Sequence, residues 1–100
     1  MNYPAVVTQE GTDIAIAFPD CPGCQTFAKA GDNALHIAQE ALTGWLEAGL
    51  EHGRAPPRPS GEIRVTGNVQ VLVVPVPDDL AEALEARWKW TPADAGGPSP

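Results

Sequence analysis

Apolar and polar residues alternate with a period of two in the first part of the chain. In the run DIAIAF, residues 13–18, both isoleucines and Phe18 fall on one side, and Asp13 and two alanines fall on the other. This alternation is typical of a strand with one covered face. Residues 3–9, YPAVVTQ, are rich in β-forming residues and end at the turn cluster EGTD. The two runs therefore predict a β-hairpin, and the later segment CQTFA predicts a third short strand.

The hydrophobic period lengthens to three or four residues after Asp32. Apolar and small residues recur at that spacing from Leu35 to Gly49, which predicts a helix with one apolar side. We expect Asp32 to cap this helix or to interact favourably with its positive N-terminal end. Gly53 and the proline-rich stretch RAPPRPS that follows it are expected to end it.

A second apolar run, VQVLVVPV at residues 69–76, predicts a strand that is buried on both faces or central. Pro75 argues against a central position at the far end of that run. The segment PDDLAEALEARWKW predicts a second helix, and Trp88 continues its apolar stripe. Trp90 lies off the stripe, so an exposed indole that contacts a partner is one interpretation of it.

The element order β-β-β-α-β-α predicts an α+β fold, a two-layer sandwich of one sheet and its helices. One hundred residues suit a single small domain. We assign residues 1–90 to this domain, and the Pro- and Gly-rich residues 91–100 to a disordered tail.

The net charge of the chain limits the classes of partner that it is expected to bind. Thirteen acidic and six basic residues give a net charge of -7, which disfavours nucleic acid and favours a basic protein partner.

The N-terminus has no secretory pattern, and the apolar runs are far shorter than the roughly 20 residues of a membrane helix. A cytoplasmic location is therefore expected.

The segment FPDCPGCQT places Cys21 and Cys24 at the C-x-x-C spacing of redox and metal sites. A redox pair needs thiols at a helix N-terminus, and the predicted helix begins several residues later. A structural zinc needs four ligands, whereas His36 and His52 stand alone, although a site shared across a dimer stays open. Pro-Gly between the cysteines favours a type II turn. We prefer the turn and expect no metal and no cofactor.

Three segments resemble the HicB-like antitoxins of bacterial and archaeal toxin–antitoxin pairs. YPAVVTQEGTDIAIAFPDCPGC is similar to that family's opening hairpin and its F-P-D-L-P-G-C segment. NALHIAQEALTGWLEAGLEHG is similar to its helix, and GRAPPRPS to its G-x-x-x-P-x-P-S ending. The resemblance covers residues 3–60 and implies a partly degraded ribonuclease H fold. It also implies that the C-x-x-C spacing is accidental, because Cys21 stands where the family usually has an apolar residue.

The resemblance implies a non-enzymatic antitoxin, a homo-oligomer that neutralises a small basic ribonuclease toxin, HicA, by covering its active site. Many members continue into a DNA-binding domain, which we do not expect after RWKW. The alternative is a solo domain that acts as a scaffold or oligomerisation module without a toxin. A residual nuclease that uses Asp13, Asp20 and Glu40 is a third hypothesis, which the lack of a positioned acid–base pair disfavours.

The turn after the second strand supplies the expected partner contacts. Asp20 would meet a basic group, and the two phenylalanines would serve as apolar anchors. The alternation also supports Phe18 as a core residue, and Asp20 also fits a plain turn residue. The full predicted set is Phe18, Pro19, Asp20, Pro22, Gly23 and Phe27.

Overall fold

Six elements follow one another in the computed structural model, which describes residues 1–61, 63–67 and 69–90 and, for Trp90, the backbone only. The predicted tail, residues 91–100, and the side chain of Trp90 lie outside this description. The order confirms the predicted β-β-β-α-β-α sequence and the α+β class. The elements are β1 (Asn2–Glu10), β2 (Asp13–Ala17), β3 (Gln25–Lys29), α1 (Ala34–Glu51), β4 (Val69–Pro75) and α2 (Asp78–Trp90).

The four strands form one antiparallel sheet in the order β3-β2-β1-β4. β1 is central, and its Val6 pairs with Ala17 of β2 and with Val71 of β4. Because β4 joins the far side of β1, the fourth strand is an edge strand. The prediction that it is buried on both faces is wrong, since Val74 is buried and Val73 is exposed. A run of valines does not reveal which faces receive a covering layer.

The core lies between the sheet and the helices. α1 packs against β3 and β4 and also contacts α2. Alternate sheet residues face the helices, as the period of two requires. The largest fully buried side chains include Tyr3, Ile16, Leu42, Leu46, Leu84 and Val74. Full burial of each aliphatic side chain contributes about 1.5–3 kcal/mol to stability before entropy is counted.

The N-cap of α1 is Asn33 rather than Asp32. The Asn33 Oδ1 accepts a hydrogen bond from the backbone N–H of His36 at 3.1 Å. Asp32 instead accepts one from the backbone N–H of Lys29 at 2.9 Å, which closes the turn after β3. The predicted stop is confirmed, because α1 ends at Glu51 and Gly53 follows with φ of 75°. Neither helix in the described ranges is long and apolar enough to cross a membrane.

Candidate protein-binding surfaces

The Cys-Pro-Gly-Cys segment is a tight turn. The backbone N–H of Cys24 donates to the carbonyl of Cys21 at 2.9 Å, and Gly23 has φ of 87°. A positive φ at the third of four positions is the signature of the predicted type II turn. The N–H of Phe18 also donates to the carbonyl of Cys24, at 3.1 Å. These bonds close residues 18–24 into a compact loop at one end of β2 and β3.

Both cysteines are free thiols that pack in the core. Burial raises the pKa of Cys21 from 9.0 to about 12, and it raises the pKa of Cys24 from 9.0 to about 11. The Cys24 Sγ lies 3.7 Å from the carbonyl oxygen of Ala41 on α1. Because the thiolate is the nucleophile and the metal ligand, this environment disfavours both chemistries at neutral pH.

The three carboxylates of the nuclease hypothesis do not meet. Asp13 pairs with Lys29 at 3.2 Å, Asp20 bonds to Ser60, and Glu40 lies 3.5 Å from the His36 ring. Among the described residues, no three His, Cys, Asp or Glu side chains are grouped so that they could hold a metal ion.

A proline-rich segment after α1, the proline strap (residues 53–60), is fixed by long-range hydrogen bonds. The Asp20 carboxylate accepts from the backbone N–H of Ser60 at 2.8 Å and from its Oγ at 2.6 Å. The Tyr3 hydroxyl donates to the carbonyl of Pro57, and the Trp88 Nε1 donates to that of Pro56 at 2.7 Å. The strap therefore joins the turn after β2, the start of β1 and the end of α2.

Two arginines of the strap lie over tryptophan rings. The Arg54 guanidinium is 5.9 Å from the centre of the Trp45 ring, and the Arg58 guanidinium is 4.9 Å from that of Trp88. Such contacts contribute about 0.5–1 kcal/mol each at exposed sites. Trp88 is half-buried against the core, as its place on the apolar stripe predicted.

The structure places the six predicted partner contacts in four different environments. Phe18 is 3% exposed and lies in the core, whereas Phe27 is 61% exposed on the sheet face that points away from the helices. Asp20 is engaged by Ser60. The remaining three, Pro19, Pro22 and Gly23, are exposed in the turn. Their contact with a partner stays a prediction.

An acidic groove runs between α1 and the start of α2. Glu47, Glu51 and Asp79 supply its charge, and in the described part of the chain no ion pair neutralises them. Among the residues that the structure describes, no lysine or arginine lines it. Its other lining residues are Thr43, Leu50, Pro77, Leu80 and Ala83. The net charge indicated a basic partner, but sequence alone did not show that these carboxylates meet.

The edge strand β4 exposes two apolar side chains that sequence analysis placed in the interior. Val71 is 37% exposed and Val73 is 57% exposed, and both lie on the sheet face opposite the helices. Pro75, which already argued against a central position at the end of the run, was the signal for an edge strand, because proline is confined to sheet edges and strand ends.

The fold agrees with comparisons to known proteins. A model of the HicB-like antitoxins of bacterial toxin–antitoxin systems matches residues 3–82. The fold matches a chain of a solved structure, the HicA3 and HicB3 toxin–antitoxin complex, with a TM-score of 0.65 at 21% identity. The match covers 77% of this chain and 99% of the other. No curated protein matches the chain.

The class of protein is thus an antitoxin of a toxin–antitoxin system. With four-fifths of its length matched, the chain belongs to the HicB-like antitoxin family.

Proposed function

We propose that this chain neutralises a small basic HicA-type ribonuclease toxin by covering its active site, without chemistry of its own. Membership of the HicB-like family supports the antitoxin role. The structural neighbour, a complex of HicA3 with HicB3, supports a toxin of the HicA type as the partner. A ribonuclease must be basic where it grips RNA phosphates, and a chain of net charge -7 is its electrostatic complement.

The acidic groove is the observation that carries this proposal. Glu47 and Glu51 stand one helical turn apart on α1, and Asp79 faces them from α2. Like charges held together, with no counter-ion among the described residues, are unfavourable for the free protein. A basic surface that docks on the groove relieves this repulsion, and the field of the carboxylates speeds the encounter.

The turn at residues 18–24 is the second proposed contact. Its exposed members are Pro19, Pro22 and Gly23. The hydrogen bonds that close the turn hold it in one conformation, so little conformational entropy is lost when a partner contacts it. Phe27 would add an apolar anchor only if the toxin also reached the sheet face opposite the helices.

The test is co-expression with a small basic protein encoded beside this one. We expect the pair to co-purify and the antitoxin to restore growth that the toxin arrests. Glu47→Lys should raise the dissociation constant about tenfold, because one charge of the groove is reversed. The control, Glu10→Lys, makes the same charge change at an exposed position on β1, far along the chain from the groove, and should change binding less than about twofold.

Two results would contradict the proposal. One is failure of the folded chain to bind the neighbouring protein or to restore growth. The other concerns the surface: equal effects of the two lysine variants would show that net charge, and not the groove, governs binding. If Pro22→Ala strongly weakened binding and Glu47→Lys did not, the turn, and not the groove, would be the main contact.

The solo scaffold is the alternative, and the exposed edge of β4 is the observation that favours it. An unprotected strand edge can pair with another chain without any toxin. A chain that self-associates yet binds no neighbouring basic protein would support this alternative.

A further inference from the structure

We propose that the outer edge of β4 is a self-association site, at which β4 of a second copy pairs antiparallel to form a continuous sheet across two chains. The site consists of Val69, Val71 and Val73 with the uncharged residues between them. None of these three valines lines the acidic groove, so this inference does not depend on the toxin.

The direction of the backbone groups of β4 follows from the register. The N–H of Val76 donates to the carbonyl of Met1 at 3.0 Å, just beyond the end of the β1–β4 ladder. Because hydrogen-bonded and non-hydrogen-bonded pairs alternate in an antiparallel ladder, Val74, Leu72 and Gln70 direct their backbone groups toward β1. Val69, Val71, Val73 and Pro75 therefore direct theirs outward.

Most of these outward groups lack a partner within the described ranges. No backbone hydrogen bond from elsewhere in that part of the chain reaches Val69, Val71 or Val73. The carbonyl of Pro75 accepts from the Gln39 Nε2 on α1 at 2.9 Å, which confirms that this residue faces outward and marks where the free edge ends. Val71 and Val73 thus combine an open backbone edge with an exposed apolar side chain.

Natural sheet edges are usually protected by charged side chains, proline or bulges. β4 has its protection only at the end, at Pro75, and no charged residue lies between Val69 and Pro77. The other edge strand, β3, is shorter, and Lys29 stands at its end. The middle of β4 is the part of the described sheet that is best suited to accept another strand.

The occupant that fits this edge is a second copy of the chain. Two antiparallel β4 strands are related by a two-fold axis, which makes the interface self-complementary. With Leu72 on the axis, Val71 of each copy pairs with Val73 of the other, and these four residues exchange four backbone hydrogen bonds. The exposed valines of both copies then lie side by side on one face and bury each other.

Charge also favours a copy over the basic toxin at this site. Two chains of net charge -7 repel each other wherever their carboxylates meet, but β4 brings none to the contact. A basic partner would find no counter-charge on the strand. Pairing of one strand per copy buries less area than the roughly 1,200 Å² of a small specific complex, so we expect a weak, concentration-dependent dimer.

The test is sedimentation equilibrium of the purified full chain, without any toxin, over concentrations up to about 1 mM. We expect a monomer–dimer equilibrium in wild type. Val73→Lys places a charge on the edge of each copy, and it should raise the dimer dissociation constant at least about 30-fold. Val71→Pro removes an outward N–H, and proline is tolerated in an edge strand. This variant should also raise the dimer dissociation constant.

The matched control is Leu35→Lys, which charges an apolar side chain of α1 that is 40% exposed. It should leave dimerisation unchanged. Circular dichroism verifies that each variant is folded. A wild type that stays monomeric to the highest concentration, or dimers that survive both β4 variants while they are folded, would overturn the proposal. Neither result bears on toxin binding, which is measured separately.

Discussion

Tyr3, Cys21 and Cys24 are ionisable side chains that the fold keeps neutral. Burial is the main cause of the raised pKa of all three groups, and for Cys21 the neighbouring Cys24 and Asp20 add to it. An anion in this core would lose its hydration without gaining a counter-ion. The thiols and the phenol therefore serve as packing groups at neutral pH, and the Tyr3 hydroxyl is a hydrogen-bond donor to the proline strap.

Stability should fall as the pH rises above about 9. The unfolded thiols lose their protons near pH 9, whereas the folded Cys24 and Cys21 keep theirs to about pH 11 and about pH 12. The unfolded state then binds fewer protons, so the free energy of unfolding decreases through this window. Urea denaturation at a series of pH values measures this decrease in the free energy of unfolding.

The control for this pH dependence is the double variant Cys21→Ala, Cys24→Ala. It is less stable at every pH because it loses core packing, but its slope above pH 9 should be shallower, because only the contribution of the thiols is removed and that of Tyr3 is kept. Parallel slopes in the two proteins would mean that the thiols do not carry the pH dependence.

At the scale of elements, the proline strap connects parts of the fold that are distant in sequence. Asp20 and Ser60 are 40 residues apart, and their two hydrogen bonds fix the end of the strap to the turn after β2. Asp32 makes a local bond of the same type, from its carboxylate to the backbone N–H of Lys29. The two aspartates therefore allow a comparison of long-range and local contacts.

We expect Asp20→Ala to destabilise the protein by about 1–2 kcal/mol, because two charge-assisted hydrogen bonds in a partly exposed site are lost. Asp32→Ala, the matched control, should cost less than about 1 kcal/mol. Loosening of the strap should also speed cleavage by trypsin after Arg54 in Asp20→Ala. Equal stability and equal cleavage in the two variants would contradict a role of Asp20 in fixing the strap.

At the scale of the whole molecule, charge and apolar surface lie in different places. The groove between the helices carries carboxylates that form no ion pair within the described residues, and strand β4 contains no carboxylate. Salt screens the interaction of exposed charges over about 8–10 Å at physiological ionic strength, and it does not weaken apolar contacts. The two proposed associations should therefore respond to salt in opposite directions.

We expect an increase of NaCl from about 0.05 M to 0.5 M to weaken toxin binding by at least an order of magnitude, mainly through a slower association rate. Dimerisation through β4 should be unchanged or stronger, because the repulsion between two acidic chains is screened. Stopped-flow kinetics and sedimentation measure the two effects. Toxin binding that is insensitive to salt would argue against the groove as the docking surface.

The patterns in the sequence were enough to predict the elements and their class. The period of two in DIAIAF, the change of period after Asp32 and the Pro-Gly turn between the cysteines each arise from local geometry. Family membership, too, was visible in short segments, since these turns and caps stand at fixed spacings along the chain. Such signals depend on neighbours within a few residues, so sequence alone determines them.

Only the tertiary structure decided what each apolar run faces. VQVLVVPV reads as a buried strand, yet β4 joins the edge of the sheet and leaves Val73 exposed. Two other features also join residues more than 30 positions apart. Asp20 is hydrogen-bonded to Ser60, and Glu47 and Asp79 line the same groove. Strand order and layer contacts are set by packing between distant segments, and a residue's identity does not record which segment will cover it.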